Sequence, residues 1–345
     1  SPPAPHTHIC RDVFWPMNAP PPALPDSRLR RALASVLGWF DGAAVDTSEA
    51  GDDDGIDWLR VLPFLGMHLA CLGVLWVGVS AVALWTALAL YALRMFAITG
   101  FYHRYFSHKA FRTSRTVQFL FGVLGAASVQ RGPLWWAAHH RHHHRHADTE
   151  HDPHSPTQRG FFWSHAGWFL TRRGFRTDWS AVPDLRRFPE LRLIDRFDVL
   201  VPVLLALGLF LVGRWLGASH PELGTSGAQL LIWGFFVSTV ALFHATVTIN
   251  SLAHRFGKRR FATRDNSRNN WLVGLLAFGE GWHNNHHAFP RSAFHGMEWW
   301  QFDLSSIIIR TMESTKLVWS VYRVKPDDKL KRSAGSSIPA DALEF

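Results

Sequence analysis

Gly279-Glu-Gly-Trp-His-Asn-Asn-His-His287 is the stretch on which the reading of this chain turns. Imidazoles three and four residues apart share one helical face, because those steps span about one turn. The adjacent histidine widens that face enough to reach a second metal ion. Two further clusters share the pattern: His103-Arg-Tyr-Phe-Ser-His108, and the run from His139 to His146. Together two HxxHH boxes and one HxxxxH box supply eight imidazoles. That is too many for one tetrahedral zinc and about right for two metals. Such a donor set predicts a dinuclear oxidase. Within the middle run, 139/142/143 and 140/143/144 both spell HxxHH, so spacing leaves two registers open.

Not every one of the 21 histidines enters this argument. Lone ones such as His68 and His220 read as satisfied or solvent-facing side chains. Taken alone, the 139–146 run could be a metal-scavenging tract. Its matching with two boxes beside other apolar segments argues for a built site.

Composition places these boxes in a membrane protein. The 345 residues include 17 Trp and 26 Phe with only 18% charged. No charged residue occurs from Val61 to Leu93 or from Leu223 to His254, and a third apolar run covers Val199 to Gly213. Since a spanning helix needs about 20 apolar residues, four transmembrane helices in two hairpins are expected, at about 61–79, 81–101, 198–217 and 228–249. The first turn falls near Gly78–Ser80, and Arg94 faces protein or snorkels to the interface. An even number of spans puts both termini on one side. Basic residues concentrate outside the two hairpin turns, which makes that side cytoplasmic. The formal charge of +9 suits a membrane surface and a carrier protein better than nucleic acid, for which no recognised fold is present. Cys10 and Cys71 are too far apart in sequence and expected depth for a structural disulfide, and the Ser-Pro-Pro-Ala-Pro start does not resemble a signal peptide.

Three regions follow. Residues 1–60 hold a Pro-rich segment, an interfacial amphipathic helix over Ser27–Phe40 and an acidic linker over Asp46–Asp54. Residues 61–324 form the all-α catalytic unit, with an interfacial segment at Val117–Trp136 and a peripheral helix after Trp300. Residues 325–345 read as a basic disordered tail.

Several phrases resemble the membrane-bound fatty acyl desaturases, the stearoyl-CoA (delta-9) family, in its bacterial form. They are the three boxes, Asp152-Pro-His154, Arg159-Gly-Phe-Phe-Trp-Ser-His165, Gly167-Trp168, Asn250-Ser-Leu-Ala-His254, and Gly279 through Pro290. The resemblance implies the register: an Asp-Pro-His eight residues after the second box makes its histidines His140, His143 and His144. It also adds His254 as a ninth ligand and Asn250 as one acting through water. By carry-over, one iron takes His103, His108, His140, His144 and His286; the other takes His143, His254, His283 and His287. Asp148, Glu150, Asp152, Asp265 and Glu280 are candidates to orient these ligands, with at least half expected to be merely exposed.

The implied activity is an O2-dependent acyl desaturase placing a cis double bond near the ninth carbon, with electrons from a separate ferredoxin or small cytochrome. Acyl-CoA is the first choice of substrate, with acyl-lipid and acyl-carrier protein open. Ala138 and His139 stand where acyl-CoA relatives carry charges, while Arg172 and Arg173 match a basic pair that meets phosphates. Ala87 and Tyr91, one turn apart on the second span, would close the acyl tunnel, with Tyr91 favouring chains of sixteen carbons or fewer. Two other readings are weighed: a histidine-box alkane or lipid hydroxylase, and a His-rich membrane metal transporter or sensor. The expected location is a bacterial cytoplasmic membrane.

Overall fold

A computed structural model describes residues 36–38, 40–42 and 54–333. The Pro-rich start, Cys10, most of the amphipathic helix, the linker through residue 53 and the last twelve residues lie outside the described residues.

The described chain is mainly helical. Helix α1, Trp58–Ala70, continues through a tight turn, Cys71–Gly73, to Val77. Gly78, at φ 67°, turns the chain, and Ser80 caps helix α2, Ala81–Ser107. Helices α3 (Arg115–Ala126), α4 (Pro133–His146) and α5 (Pro189–Arg196) follow. Then come α6 (Leu200–Ser219), α7 (Gly227–Ser251), α8 (Trp271–Leu276), α9 (His283–Ala288), α10 (Leu304–Ser314) and α11 (Pro326–Lys331). Arg112–Thr113 and Val318–Trp319 form a short antiparallel pair.

Three helices, α2, α6 and α7, are long and apolar enough to cross a membrane. The apolar stretch Val61–Val77 is shorter than such a span. Its tight turn and the four-residue helix after it end the stretch at Gly78. Arg94 faces protein: fully buried, it donates to the Ala127 carbonyl and to the hydroxyls of Thr239 and Ser238. The 117–136 segment is not one interfacial stretch. Left-handed backbone at Val129 and Arg131 breaks it, and Pro133 starts α4, so Trp135 and Trp136 belong to the second box's helix. The tail expected from Lys325 opens as an ordered helix, α11. Just past it, the Arg332 guanidinium lies over Phe289 and donates to the Ala288 carbonyl, anchoring the segment beside the third box.

Packing holds the boxes together. The start of α4 is capped from α5, whose Asp195 accepts from the Leu134 and Trp135 amides at 2.9 and 3.0 Å. A Cβ on Gly132 would lie 2.3 Å from that carboxylate, which is why glycine precedes the helix. Burial raises the Asp195 carboxyl to about 7. From mid-α4, Arg141 donates to the Phe106 and Ser107 carbonyls, tying the second box to the end of the first. Its guanidinium also grips Asp184 at 2.7 and 3.0 Å.

Burial would raise the Asp184 carboxyl, but Arg141 and Lys109 outweigh it and hold it at about 2. A depressed folded pKa stabilises fully above the unfolded carboxylate value near 4, and that stabilisation is lost as pH falls through about 2. Arg141→Ala is expected to cost about 3 kcal/mol, as for loss of one partner of a mostly buried pair. Thermal melts should show the full deficit at neutral pH and a smaller one at the acid end, where only the hydrogen bonds from Arg141 to the Phe106, Ser107 and Ala181 carbonyls remain to be lost.

Candidate metal centre

The first box rides on the end of α2, which runs six residues beyond the expected end of the span at 101 to Ser107, with His108 as its C-cap. Its Ala97–Ser107 stretch is π-helical, and in that winding residues five apart, not four, are hydrogen-bonded neighbours. The HxxxxH spacing therefore brings both rings to one side, with centroids 5.1 Å apart. The second box comes from α4, the third from α9, and His254 from the turn just after α7. All six residues of α9 are buried. Asn284 holds it by accepting from the Arg260 and Phe261 amides; Asn285 donates to the His295 carbonyl.

The structure gathers these side chains into two groups. His103, His108, His140, His144 and His286 offer ring nitrogens all within 4.8 Å of one another; His143, His254, His283 and His287 form a second such group. His139 and His142 point elsewhere, their Nε2 atoms 3.0 Å from the carbonyls of Arg176 and His151.

Four of the five candidate carboxylates stand behind ligand candidates, more than the half or fewer expected. Asp152, Asp148 and Asp265 lie 3.0, 2.8 and 2.8 Å from Nδ1 of His143, His254 and His287. Glu280 lies 2.5 Å from Nδ1 of His103. Only Glu150 of the five is exposed and away from the site.

These contacts decide tautomers. A neutral imidazole has one N–H and one lone pair. Where a carboxylate takes the Nδ1 proton, Nε2 presents its lone pair inward. Yet Nε2 atoms face one another at 3.0 Å (His103 and His286), 2.7 Å (His108 and His140), 2.8 Å (His144 and His286) and 3.0 Å (His254 and His283). Nε2 of His287 is buried without a partner. Converging lone pairs with too few protons between them fit a cation at each centre.

Burial, then the neighbouring imidazoles, pushes His108, His140, His144, His283 and His286 well below their ordinary range, so they are neutral donors at neutral pH. At His143 burial also disfavours charge, but Asp152 outweighs it and raises the pKa. Asp148, despite burial, is held at about 2 by His254 and backbone donors.

Two participants were not singled out from sequence. Arg104, an apparent spacer in the first box, is fully buried and donates to Glu280, Asp303, Ser306 and the Ala293 carbonyl. His295, also fully buried, sets Nδ1 3.2 Å from Glu280 and its ring 4.5 Å from that of His286. It lies eight residues beyond the third box with no spacing to mark it.

A cavity of about 790 Å³ ends at these groups, with His103, His140, His143 and His283 in its wall. Ligand sites typically measure roughly 300–1,000 Å³. Its other walls are largely apolar, including Phe64 and Met67 of α1, Val203 of α6, and Phe236 and Phe243 of α7. Asn250 also lines it, beside His283. Gln130 ties two walls, donating to Thr246 at 3.1 Å and accepting from the Trp136 indole at 3.4 Å.

Ala87 and Tyr91 are not among the lining residues. Ala87 is buried in α2, and the Tyr91 hydroxyl donates to the Leu276 carbonyl. Of α2 only His103 lines the cavity, so counting back along it from His103 does not reach the wall. Arg172 and Arg173 are exposed, close in sequence to Phe175 in the cavity wall. Ala138 is buried beside His139.

Two convergent histidine groups beside an apolar cavity, in a mainly helical fold with three helices long and apolar enough to cross a membrane, make a site that could hold two metal ions. A fatty acid desaturase family profile matches residues 61–319, and the chain belongs to that family. It is 34% identical to an sn-1 stearoyl-lipid 9-desaturase of Anabaena variabilis over 273 residues, 77% of this chain and 94% of that one. It is 36% identical to an acyl-CoA 5-desaturase of Anemone leveillei, covering 77% and 79%. A hex-5-enoyl-[acyl-carrier protein] acetylenase of Moorena producens is 35% identical, over 76% and 84%. The chain is an oxidoreductase acting on fatty acyl chains.

Proposed function

We propose that this enzyme places a cis double bond near the ninth carbon of a saturated acyl chain, using two iron ions. The observation that carries this reading is the meeting of an apolar cavity with two groups of convergent imidazoles. One iron would be held by His103, His108, His140, His144 and His286. The other would be held by His143, His254, His283 and His287, with Asn250 reaching it through water. Iron is preferred to zinc because imidazole suits both but only a redox metal supplies oxygen chemistry. Bound there, the pair would activate dioxygen, which leaves as two waters on taking two hydrogens from the chain, two external electrons and two protons.

The protein's own share is positioning. Aromatic and aliphatic walls hold the chain dry, and Gln130 fixes Trp136 against His140, whose rings stack at 5.0 Å. The name of the Anabaena relative supports the ninth carbon. Acyl-CoA remains the first carrier considered, with Arg172 and Arg173 as the basic pair that would meet its phosphates.

In the membrane, α1 with its extension, α2, α6 and α7 would be the four spans. Both chain ends and the metal groups would lie on the cytoplasmic side of a bacterial membrane. With two cysteines in the sequence the chain cannot hold a four-cysteine iron–sulfur cluster. A ferredoxin or small cytochrome would deliver electrons, docking by charge on Arg255, Lys258, Arg259 and Arg260.

The test is the fatty acid profile of host cells making the intact protein or His144→Ala. A new cis-monounsaturated acid seen only with the intact protein is expected. Hydroxy acids in its place would make the enzyme a hydroxylase, and an unchanged profile despite metal-loaded protein would overturn the proposal.

A further inference from the structure

Helix α8 has no polar face. Trp271, Leu272, Leu275 and Leu276 are exposed on one side, while Val273 and Gly274 are buried on the other. A helix apolar all round belongs in a core or a bilayer, and here only half of it is covered by protein. No charged residue occurs between Arg268 and Glu280. The patch extends onto Trp299, 95% exposed, and onto Trp300 and Phe302. Between helix and segment runs a groove of about 400 Å³ whose walls are Trp271, Leu275, Trp282, Trp300 and Phe302. The outward face is fixed in place: a Cβ on Gly281 would lie 2.0 Å from the Gly274 amide, so α8 sits hard against the third-box loop.

Its position says what covers it. The Tyr91 hydroxyl of α2 donates to the Leu276 carbonyl at 2.7 Å, and the Tyr91 ring meets Phe278 edge-on. Tyr91 precedes His103 by twelve residues on one helix, which is about 18 Å along the axis at 1.5 Å per residue. The end of α8 therefore sits well below the metal groups, against the apolar part of α2. There Leu88 and Leu84, one and two turns before Tyr91 on the same side of α2, are exposed.

We infer that α8 and Trp299–Phe302 form a foot inserted into the leaflet beside α2, with lipid acyl chains in the groove between them. A redox carrier of acidic character would be recognised by charge, and this face has none. Such apolar faces sink about 5–10 Å into the headgroup–acyl boundary, and tryptophan favours that depth. The foot fixes the height and tilt of the third box, directly attached through Trp282, relative to the bilayer. The inference rests on α2 being a span.

Single-cysteine variants Leu275→Cys and Trp299→Cys, made with Cys10→Ser and Cys71→Ala, test it. The metal-loaded full chain carries a fluorophore in phosphatidylcholine nanodiscs. Quenching is read from a nitroxide high on the lipid acyl chain and from aqueous iodide. Leu88→Cys on α2 and Glu150→Cys on the exposed loop are the references. Both foot positions should be quenched by the nitroxide several-fold more than Glu150→Cys, and weakly by iodide. Iodide quenching equal to that at Glu150→Cys overturns the foot, as does protection from both quenchers, which would mean a protein cover such as a carrier or second copy. If Leu88→Cys also escapes the nitroxide, the reading of α2 as a span fails instead.

Discussion

Alanine at His140 is expected to strip metal from the first group and reduce desaturation below detection, whereas alanine at His139 leaves about two metals per chain. The two histidines are neighbours in a run where either could be spelled into the box. Their rings go opposite ways: His140 sets Nε2 2.7 Å from that of His108, and His139 sets its own 3.0 Å from the Arg176 carbonyl. Losing one of five convergent donors opens the site, and truncation beside His108, His144 and His286 leaves nothing to replace it. Losing His139 removes one hydrogen bond and some packing against Trp135 and Trp168, a cost of about 1 kcal/mol or a little more. Metal content by mass spectrometry, measured with activity, separates the two. Retained metal in His140→Ala with loss in His139→Ala would reverse the register.

The second large effect is expected from carboxylates that touch no metal. Asp152→Ala, Asp148→Ala and Asp265→Ala each free one ring of the second group, and outer partners of this kind typically contribute 10–100-fold in metal affinity. Competition with a chelator should show that weakening for about one of the two ions, the other holding nearly as before. Glu280→Ala should weaken the other ion instead. Glu150→Ala, at an exposed site, should change neither. Affinities for both ions unchanged from the intact protein in Asp152→Ala would make the pairing with His143 incidental.

The histidine clusters were legible because ligand spacing is local. Three steps on α4 and α9 suffice to place the rings of both HxxHH boxes. The first box was harder, since five residues do not close on an ordinary α-helix, and the π-winding of 97–107 depends on tertiary packing. The grouping into two sets came from family likeness and could not come from spacing, because His143 and His144 are adjacent yet serve different groups. Arg104 and His295 were missed for one reason: each acts through Glu280, a contact made only when α2, α9 and the 295–303 turn pack together. Ala87 and Tyr91 lie outside the cavity wall, to which α2 contributes only His103; which helices supply that wall is set by tertiary packing that spacing does not reveal. The apolar α8 escaped notice because six residues carry no period that separates a buried face from one turned outward.

Behind the second group stand three aspartates, one for each of three rings, while the first has one glutamate whose charge is shared with Arg104. The two places are therefore unequal before anything binds. A dication, if bound, would be drawn more strongly to the anion-rich second place, and that place would favour higher oxidation states. The first place, with five neutral donors and Arg104 offsetting one of the two carboxylates Glu280 and Asp303, would fill last and empty first. A pair of ions in this protein would behave as two different elements of a circuit, one a reservoir and the other a gate.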